Sequence, residues 1–353
     1  MHLSNQIIEQ KTNQIPNSVL KIATYNLLNY LEPPFASYEF DRILSAEEWQ
    51  KKQKWISDYL NEFQPDVIGF QEVFSPDALE SLVKASGYEY FAVVDKCTVV
   101  DDFICYSPVV AIASRYPITE IVAVECDNSL AGKMGLSPDF SFSRKILRAT
   151  IDLPHIGECD CYVVHFKSKR ALFEHQEDAH LTGEENIIES LKANIAGGWG
   201  ATIQRGSEAS LLMVEMIKRK AETDNSMLLM GDFNNNLSDG VLTQLLTNDL
   251  RFVSQLDKNA FLGKYCLQDV WHLFLESDDY LGQKRSPTHY YGETNSVLDH
   301  ILVSCEFDAK YSKSIFSVSD YQTYDRHLIN PIYDRDSQST DHGIVLVTMQ
   351  LRS

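Results

Sequence analysis

Ten short apolar runs of strand length, joined without any linker, constrain the fold of this chain more than anything else in it. They span 20–25, 66–70, 88–94, 109–113, 118–124, 145–153, 160–166, 227–230, 297–303 and 343–349. Runs of this length and composition read as buried strands. Helical patterns lie between them. Ser45 and Glu48 have capping-box spacing ahead of Trp49, Ile56, Leu60 and Phe63. Ser75-Pro76 reads as a cap followed by proline at the first helical position, with Gly87 as the stop. Ala209, Leu212, Met213, Met216 and Ile217 form one helical stripe, read as core filling. Strands interleaved with helices, undivided by a Pro/Gly/Ser-rich stretch, predict one α/β domain over 19–353 after an N-terminal tail at 1–18. Residues 169–205 are polar and contain Ala196-Gly197-Gly198-Trp199-Gly200. They are expected to form a long loop beside a site.

Charge and length narrow the function. The 353 residues can bury a large core. With 31 basic against 50 acidic residues the net charge is −19. That argues against a generic nucleic-acid coat, whose binding rests on phosphate neutralisation. It leaves room for an enzyme that gathers phosphate with a local cationic patch and a metal ion. No stretch reaches the about 20 apolar residues of a membrane-spanning helix. Residues 1–17 lack a basic start followed by an apolar run. The sequence as it stands therefore predicts a cytoplasmic protein, with secretion open through a removed signal or a signal-independent route. Seven scattered cysteines, Cys159 and Cys161 among them, lack zinc-site spacing and read as free thiols.

The richest strand end is Gly231-Asp232-Phe233-Asn234, which closes the run at 227–230. Side chains at i and i+2 of an extended backbone share a face, so Asp232 and Asn234 can address one small object. A carboxylate can accept a proton, and a carboxamide both donates and accepts hydrogen bonds. Together they suit holding and activating a water. Strand ends also carry Asp and Asn as turn formers, so one such end decides nothing. Other strand ends bear similar residues: Asn26 and Asn29, Gln71-Glu72, His165 through Lys169, Asp299-His300 and Asp341-His342. Sheet enzymes commonly collect a site from the ends of different strands. Glu72, Asp341 and Asn26 are hard oxygen donors suited to Mg²⁺, Mn²⁺ or Ca²⁺ rather than zinc. His165 and His342 can donate to phosphoryl oxygens, and a neighbour such as Asp299 would orient and charge an imidazole. There is no nucleophilic-serine elbow, no Walker-type phosphate loop and no dinucleotide fingerprint. Metal-oriented, histidine-assisted attack of water on a phosphoester uses every member of the set.

Gln71-Glu72, Gly231-Asp232-Phe233-Asn234 and Ser339-Thr340-Asp341-His342, in that order, resemble the motifs of the endonuclease/exonuclease/phosphatase superfamily. That superfamily includes pancreatic-type deoxyribonucleases, abasic-site endonucleases, sphingomyelinases and inositol phosphatases. The resemblance runs from Leu20 to Met349. It implies a four-layer αββα sandwich with two mixed β-sheets packed face to face. It implies that Glu72 is the principal metal ligand, with Asn26 and Asp341 nearby. By the same resemblance Asp232 orients and deprotonates water, Asn234 supports it, Asp299 pairs with His342, and His165 is a second catalytic histidine near the leaving group. Arg148 falls on a strand where some nucleases of the family place a phosphate-binding arginine.

The segment His165-Phe166-Lys167-Ser168-Lys169-Arg170 is similar to bacterial nuclease-like members, as is Gln204-Arg205 followed by Glu208. Lys167 and Lys169 share a face in extended geometry, so both are candidate phosphate contacts. The expectation is a Mg²⁺-dependent phosphodiesterase acting on nucleic acid, with DNA first. The alternative is an enzyme of a small or lipid phosphoester, which the acidic charge favours. A catalytically inactive binding protein on the same fold is the third reading.

Overall fold

A computed structural model describes residues 18–246, 262–277 and 282–352. The expected N-terminal tail, except Ser18, lies outside them. One six-stranded sheet is built from β1 (Val19–Tyr30), β3 (Val67–Val73), β4 (Tyr90–Val93), β7 (Val109–Ser114), β16 (Phe316–Tyr324) and β17 (Ile344–Leu351). Its order is β16-β17-β1-β3-β7-β4. The second comprises β8 (Ile118–Val124), β9 (Ile146–Leu153), β10 (Gly157–His165), β11 (Ser226–Asp232), β12 (Gln268–Asp269) and β15 (Asp299–Val303). Its order is β12-β15-β11-β10-β9-β8. Two small sheets sit at the margin: β2 (Ala36–Ser37) with β5 (Thr98–Val100) and β6 (Ile104–Tyr106), and the hairpin β13 (His289–Tyr291) with β14 (Thr294–Ser296).

Alternation along the strands makes the layers. Leu20 and Ile22 of β1 face the second sheet, where they meet Val163, Met230 and Ile301 in one core. Ala23, Tyr25 and Leu27 point the other way. There they pack on α1 (Ala46–Phe63) and α2 (Pro76–Ala85). Tyr162, Val164 and Leu229 on the far side of the second sheet pack on α4 (Gly183–Thr223) through Leu212, Met213 and Met216. Each such buried side chain contributes about 1.5–3 kcal/mol. The architecture is thus the expected sandwich, helices outside and two mixed sheets within. The Ser45–Glu48 capping box forms as the spacing predicts. Ser75 makes no side-chain cap; its hydroxyl accepts the Glu32 N–H at 2.9 Å. The shorter helices are α3 (Asn128–Lys133), α5 (Val270–Ser277), α6 (Arg326–Ile329) and α7 (Tyr333–Asp336).

Each sheet has one parallel pair at its heart, β1 with β3 and β10 with β11. Parallel strands end together. One edge of the sandwich therefore carries Asn26 and Gln71-Glu72 from one sheet and His165 and Asp232 from the other. At Gly231, where φ is +149°, a Cβ would lie 2.0 Å from the Val164 carbonyl oxygen. Only glycine lets β11 deliver Asp232 there.

The loop expected over 169–205 is corrected. Residues 183–205 begin a 41-residue helix, opened by a Thr182–Glu185 capping box. Glycines at 197, 198 and 200 suggest a loop because each costs a helix about 1 kcal/mol. At Gly197 the absent side chain admits neighbouring backbone, since a Cβ would lie 2.7 Å from the Phe173 carbonyl oxygen. No helix among the described residues is long and apolar enough to cross a membrane.

Candidate active site

Asp232 stands at the centre of the converging strand ends and is 1% exposed. Its Oδ1 accepts the Asn234 backbone N–H at 2.8 Å, and its Oδ2 lies 3.3 Å from Asn234 Nδ2 and 3.2 Å from Asn26 Nδ2. His165 Nε2 approaches Oδ2 at 3.4 Å and His342 Nε2 at 3.9 Å. Burial lifts the Asp232 carboxyl to about 7; the His342 charge opposes this, while Asp299 and Glu72 add to it. Asn234 has φ +53°, and its Nδ2 also donates to the Phe166 carbonyl at 3.0 Å. Glu72, at φ +60°, likewise takes a left-handed conformation. Such strained backbone at a non-glycine residue clusters at functional sites.

The two histidines are held in opposite charge states. His342 Nδ1 lies 2.8 Å from Asp299 Oδ2, with Asp299 fully buried. Burial works against the His342 charge, but Asp299, Asp232 and Asp341 outweigh it and hold the imidazolium well above the usual histidine range. His165 is buried too. That burial, with the positive charges of Arg144, His342 and Lys167, holds it well below the ordinary value. It is neutral at physiological pH, so its approach to Asp232 is a dipolar contact rather than an ion pair. Two titratable groups pushed apart by their surroundings are the usual mark of divided acid and base roles.

Asn26 departs from the expected oxygen ligand. Its Oδ1 accepts the Leu28 N–H at 3.0 Å, and its Nδ2 reaches Glu72 Oε1 at 3.3 Å as well as Asp232. Turning the amide over would set oxygen against two carboxylates. As arranged, Asn26 is a donor bridging two acids. Glu72 keeps spare acceptor capacity, since among the described residues Oε2 takes only the Asn29 N–H, at 3.0 Å. Two groups, His289–Asp341–His342 and Asp232–Asp299–His342, bring possible ligand atoms within 4.8 Å of one another. A charged His342 has no lone pair to give. With His342 set aside, those two groups leave His289, Asp341, Asp232 and Asp299, and together with Glu72 they offer a donor set, mostly hard carboxylate oxygen, that fits a divalent cation.

Arg148 is not at this site. It pairs in register with Tyr162, on the face of β9 turned toward α4. Its guanidinium lies 2.9 Å from Glu120 and 3.7 Å from Asp160, and Asp160 also holds Arg219 at 3.0 Å. A strand's face follows from its register, which the sequence alone does not show. Lys167 turns its Nζ back to the Arg170 carbonyl at 2.8 Å. Lys169 is exposed, and its charge bears on His289. Asp341 is exposed. His300 is structural, with Nε2 3.0 Å from the Asn235 carbonyl oxygen.

Four residues escaped sequence reasoning. Lys52 is buried on α1 and donates to the Ser339 carbonyl at 3.3 Å. Burial pulls its ammonium down to about 8, opposed by Glu72 and Asp341. A lysine in the inward stripe with Trp49 and Ile56 was the legible signal. Arg144 donates to the Phe166 carbonyl at 3.3 Å, and burial with the nearby Glu72 charge raises the Tyr38 phenol while Arg144 and Arg170 oppose. His289 bridges to His342 through the backbone, with ring centroids 5.2 Å apart. Nothing local in the sequence marks these last three. Glu208 fixes the frame by accepting the backbone N–H of Ser143 at 2.7 Å and of Lys167 at 2.8 Å.

Residues 23–320 match the family model described as Endonuclease/Exonuclease/phosphatase family. The chain belongs to that family. No curated protein sequence matches it. Among solved structures, the human Nocturnin catalytic domain with bound sulfate anion is similar at a TM-score of 0.55 and 15% identity, covering 95% of this chain and 95% of that one. A humanized D. rerio TDP2 gives 0.52 and 15%, covering 94% and 99%. ANGEL2, a 2',3'-cyclic phosphatase, gives 0.55 and 12%, covering 94% and 95%. At these identities the likeness shows the fold. The endonuclease/exonuclease/phosphatase family is generally hydrolytic on phosphoesters and typically uses divalent metals.

Proposed function

We propose that this chain is a divalent-metal-dependent phosphodiesterase, Mg²⁺ being the natural ion, that cleaves nucleic acid, DNA first. The observation that carries the reading is the convergence of Asn234, Asn26, His165 and His342 on one oxygen of Asp232, with Asp299 behind His342 and Asn26 also reaching Glu72. Glu72, with Asp341 nearby, would hold the ion. When bound, the ion supplies positive charge to a phosphoryl oxygen and makes a neighbouring water more acidic. Asp232, with a carboxyl near 7, takes the proton from the attacking water. Asn234 and Asn26 fix that carboxylate through N–H donors. His342, kept charged by Asp299, donates to the oxygen on which negative charge grows. His165 stays neutral and places an N–H or a lone pair on the leaving-group side. Lys169 and Arg144 flank the site as rim cations in place of Arg148. Arg144 also lines a cavity of about 520 Å³, in which Lys96 and Lys145 are matched by Asp95, Glu125 and Asp139.

The second reading is a small or lipid phosphoester, favoured by the net charge of −19 and by the absence of Arg148 from the site. Purified protein with Mg²⁺ is incubated with plasmid, single-stranded DNA and RNA, beside inositol-phosphate, 2',3'-cyclic-phosphate and sphingomyelin substrates. Cleavage of nucleic acid that disappears in Asp232→Ala and His342→Ala is expected. Turnover confined to the small and lipid substrates sinks the nucleic-acid assignment. Activity unchanged in both variants sinks the site.

A further inference from the structure

The first half of α4 packs on little else among the described residues. From Thr182 to Ala196 no residue is buried, although the stretch is regular, capped helix. A helix of 41 residues is about 60 Å long, while the β10–β11 pair beneath it extends only about 30 Å, so this half overhangs the sandwich. Its surface carries Ile187 at 71% exposure, Leu191 at 60%, Ile195 at 68% and Trp199 at 65%, one every four residues. Ile188 and Ile203 flank this ridge, and Leu172 and Phe173 lie exposed beside it. The Leu172 N–H donates to the Gly197 carbonyl at 3.0 Å, which ties that segment to the helix. The exposed shares amount to on the order of 900 Å² of apolar surface, above the about 300–600 Å² of the largest patch on a typical monomer.

We infer that this ridge is the contact surface of a homodimer, in which the overhanging half of α4 packs antiparallel on the same half-helix of a second copy. The area matches the about 800 Å² that one partner gives to a standard interface. Residues four apart form the ridge that interlocks with a like ridge on another helix. A twofold axis between Leu191 and Ile195 sets Ile187 of one copy against Trp199 of the other, the self-complementarity an isologous interface requires. Charge agrees with that register. Exposed Glu184 and Glu185 lie at the helix start, and exposed Lys169 and Arg170 adjoin the segment packed on Gly197. The twofold brings the acids of each copy to the bases of the other. A lipid surface fits less well, because interfacial helices carry Lys and Arg on the polar face. This one carries Glu184, Glu185 and Glu189, with Lys192 held by Glu189 at 2.6 Å.

Sedimentation velocity of the full chain tests this at about 100 μM, well above the micromolar limit for interfaces of this size. The wild type sediments as a dimer. Leu191→Glu combined with Ile195→Glu sediments as a monomer with unchanged circular dichroism, since neither side chain packs against the rest of its own chain, and its unfolding temperature no longer rises with protein concentration. Arg170→Glu weakens the dimer about tenfold, and Glu184→Arg in the same chain, which spares the Thr182–Glu185 cap, restores it. A wild-type monomer at that concentration overturns the inference, as does a monomer that floats with phosphatidylcholine vesicles. A dimer untouched by the two glutamates overturns it as well.

Discussion

Replacing Asp299 with asparagine removes one negative charge and keeps the shape of the side chain. In the native protein Asp299 Oδ2 meets His342 Nδ1 at 2.8 Å, and neither residue is more than 6% exposed. With an effective dielectric constant near 20, opposite charges about 3 Å apart attract by roughly 5 kcal/mol. Burial alone drives His342 toward its neutral form, and Asp299 is foremost among the carboxylates that reverse this. Without Asp299 only Asp232 and Asp341 oppose burial, and the ring holds its second proton less firmly near neutral pH. The expected loss in kcat is about 100- to 10,000-fold. That is about 3–5 kcal/mol of barrier, within the Coulombic limit. The assay is steady-state hydrolysis of a chromogenic aryl phosphodiester with Mg²⁺ by the wild type, Asp299→Asn, His342→Gln and the double variant, with near-UV circular dichroism to confirm folding. If Asp299 acts through His342, the double variant is no slower than His342→Gln alone, because a partner's loss cannot be felt twice. Losses that multiply refute the reasoning. So does an Asp299→Asn enzyme with wild-type kcat.

Arg148→Met, which cuts the links to exposed Glu120 and buried Asp160 while leaving Asp160 its Arg219, is expected to lower stability by about 1 kcal/mol in urea unfolding and to leave kcat/KM unchanged. A tenfold fall in kcat/KM, about 1.4 kcal/mol of transition-state binding, would return Arg148 to the substrate. Acid sensitivity should trace in part to His300, whose buried ring is held at about 4 against an ordinary 6.5. Because the unfolded chain binds a proton there that the folded chain refuses, this stabilisation is complete above about 6.5 and drains away as pH falls toward 4. Between about pH 7 and about pH 5 the wild type should lose about 2 kcal/mol more than His300→Gln; equal losses would assign the sensitivity elsewhere.

Features that depend on near neighbours in the chain are legible before folding. The Gly-Asp-Phe-Asn stretch marks Asp232 and Asn234 as partners, although β11 stops at Asp232 and Asn234 meets it through a left-handed turn rather than by strand period; Ser45 and Glu48 cap α1 within one turn, and Gly231 marks a backbone no other residue enters. The family motifs are legible for the same reason, since each lies within a few residues. Tertiary structure decided everything that depends on register and on long-range charge. Arg148 sits on its strand as expected, yet pairing opposite Tyr162 turns it toward α4 and two carboxylates. Asn26 reaches the site, but Glu72 and Asp232, from a second strand and a second sheet, compel it to donate rather than ligate. Lys52, Arg144, Tyr38 and His289 become neighbours of the motifs only once helix, loops and hairpin fold around the same edge. Of the glycines read as a loop, Gly197 and Gly200 lie within α4 with the 171–173 segment packed against them. The opposite charge states of His165 and His342 come from burial and from carboxylates far apart in the chain, whose fields add only when the two sheets meet.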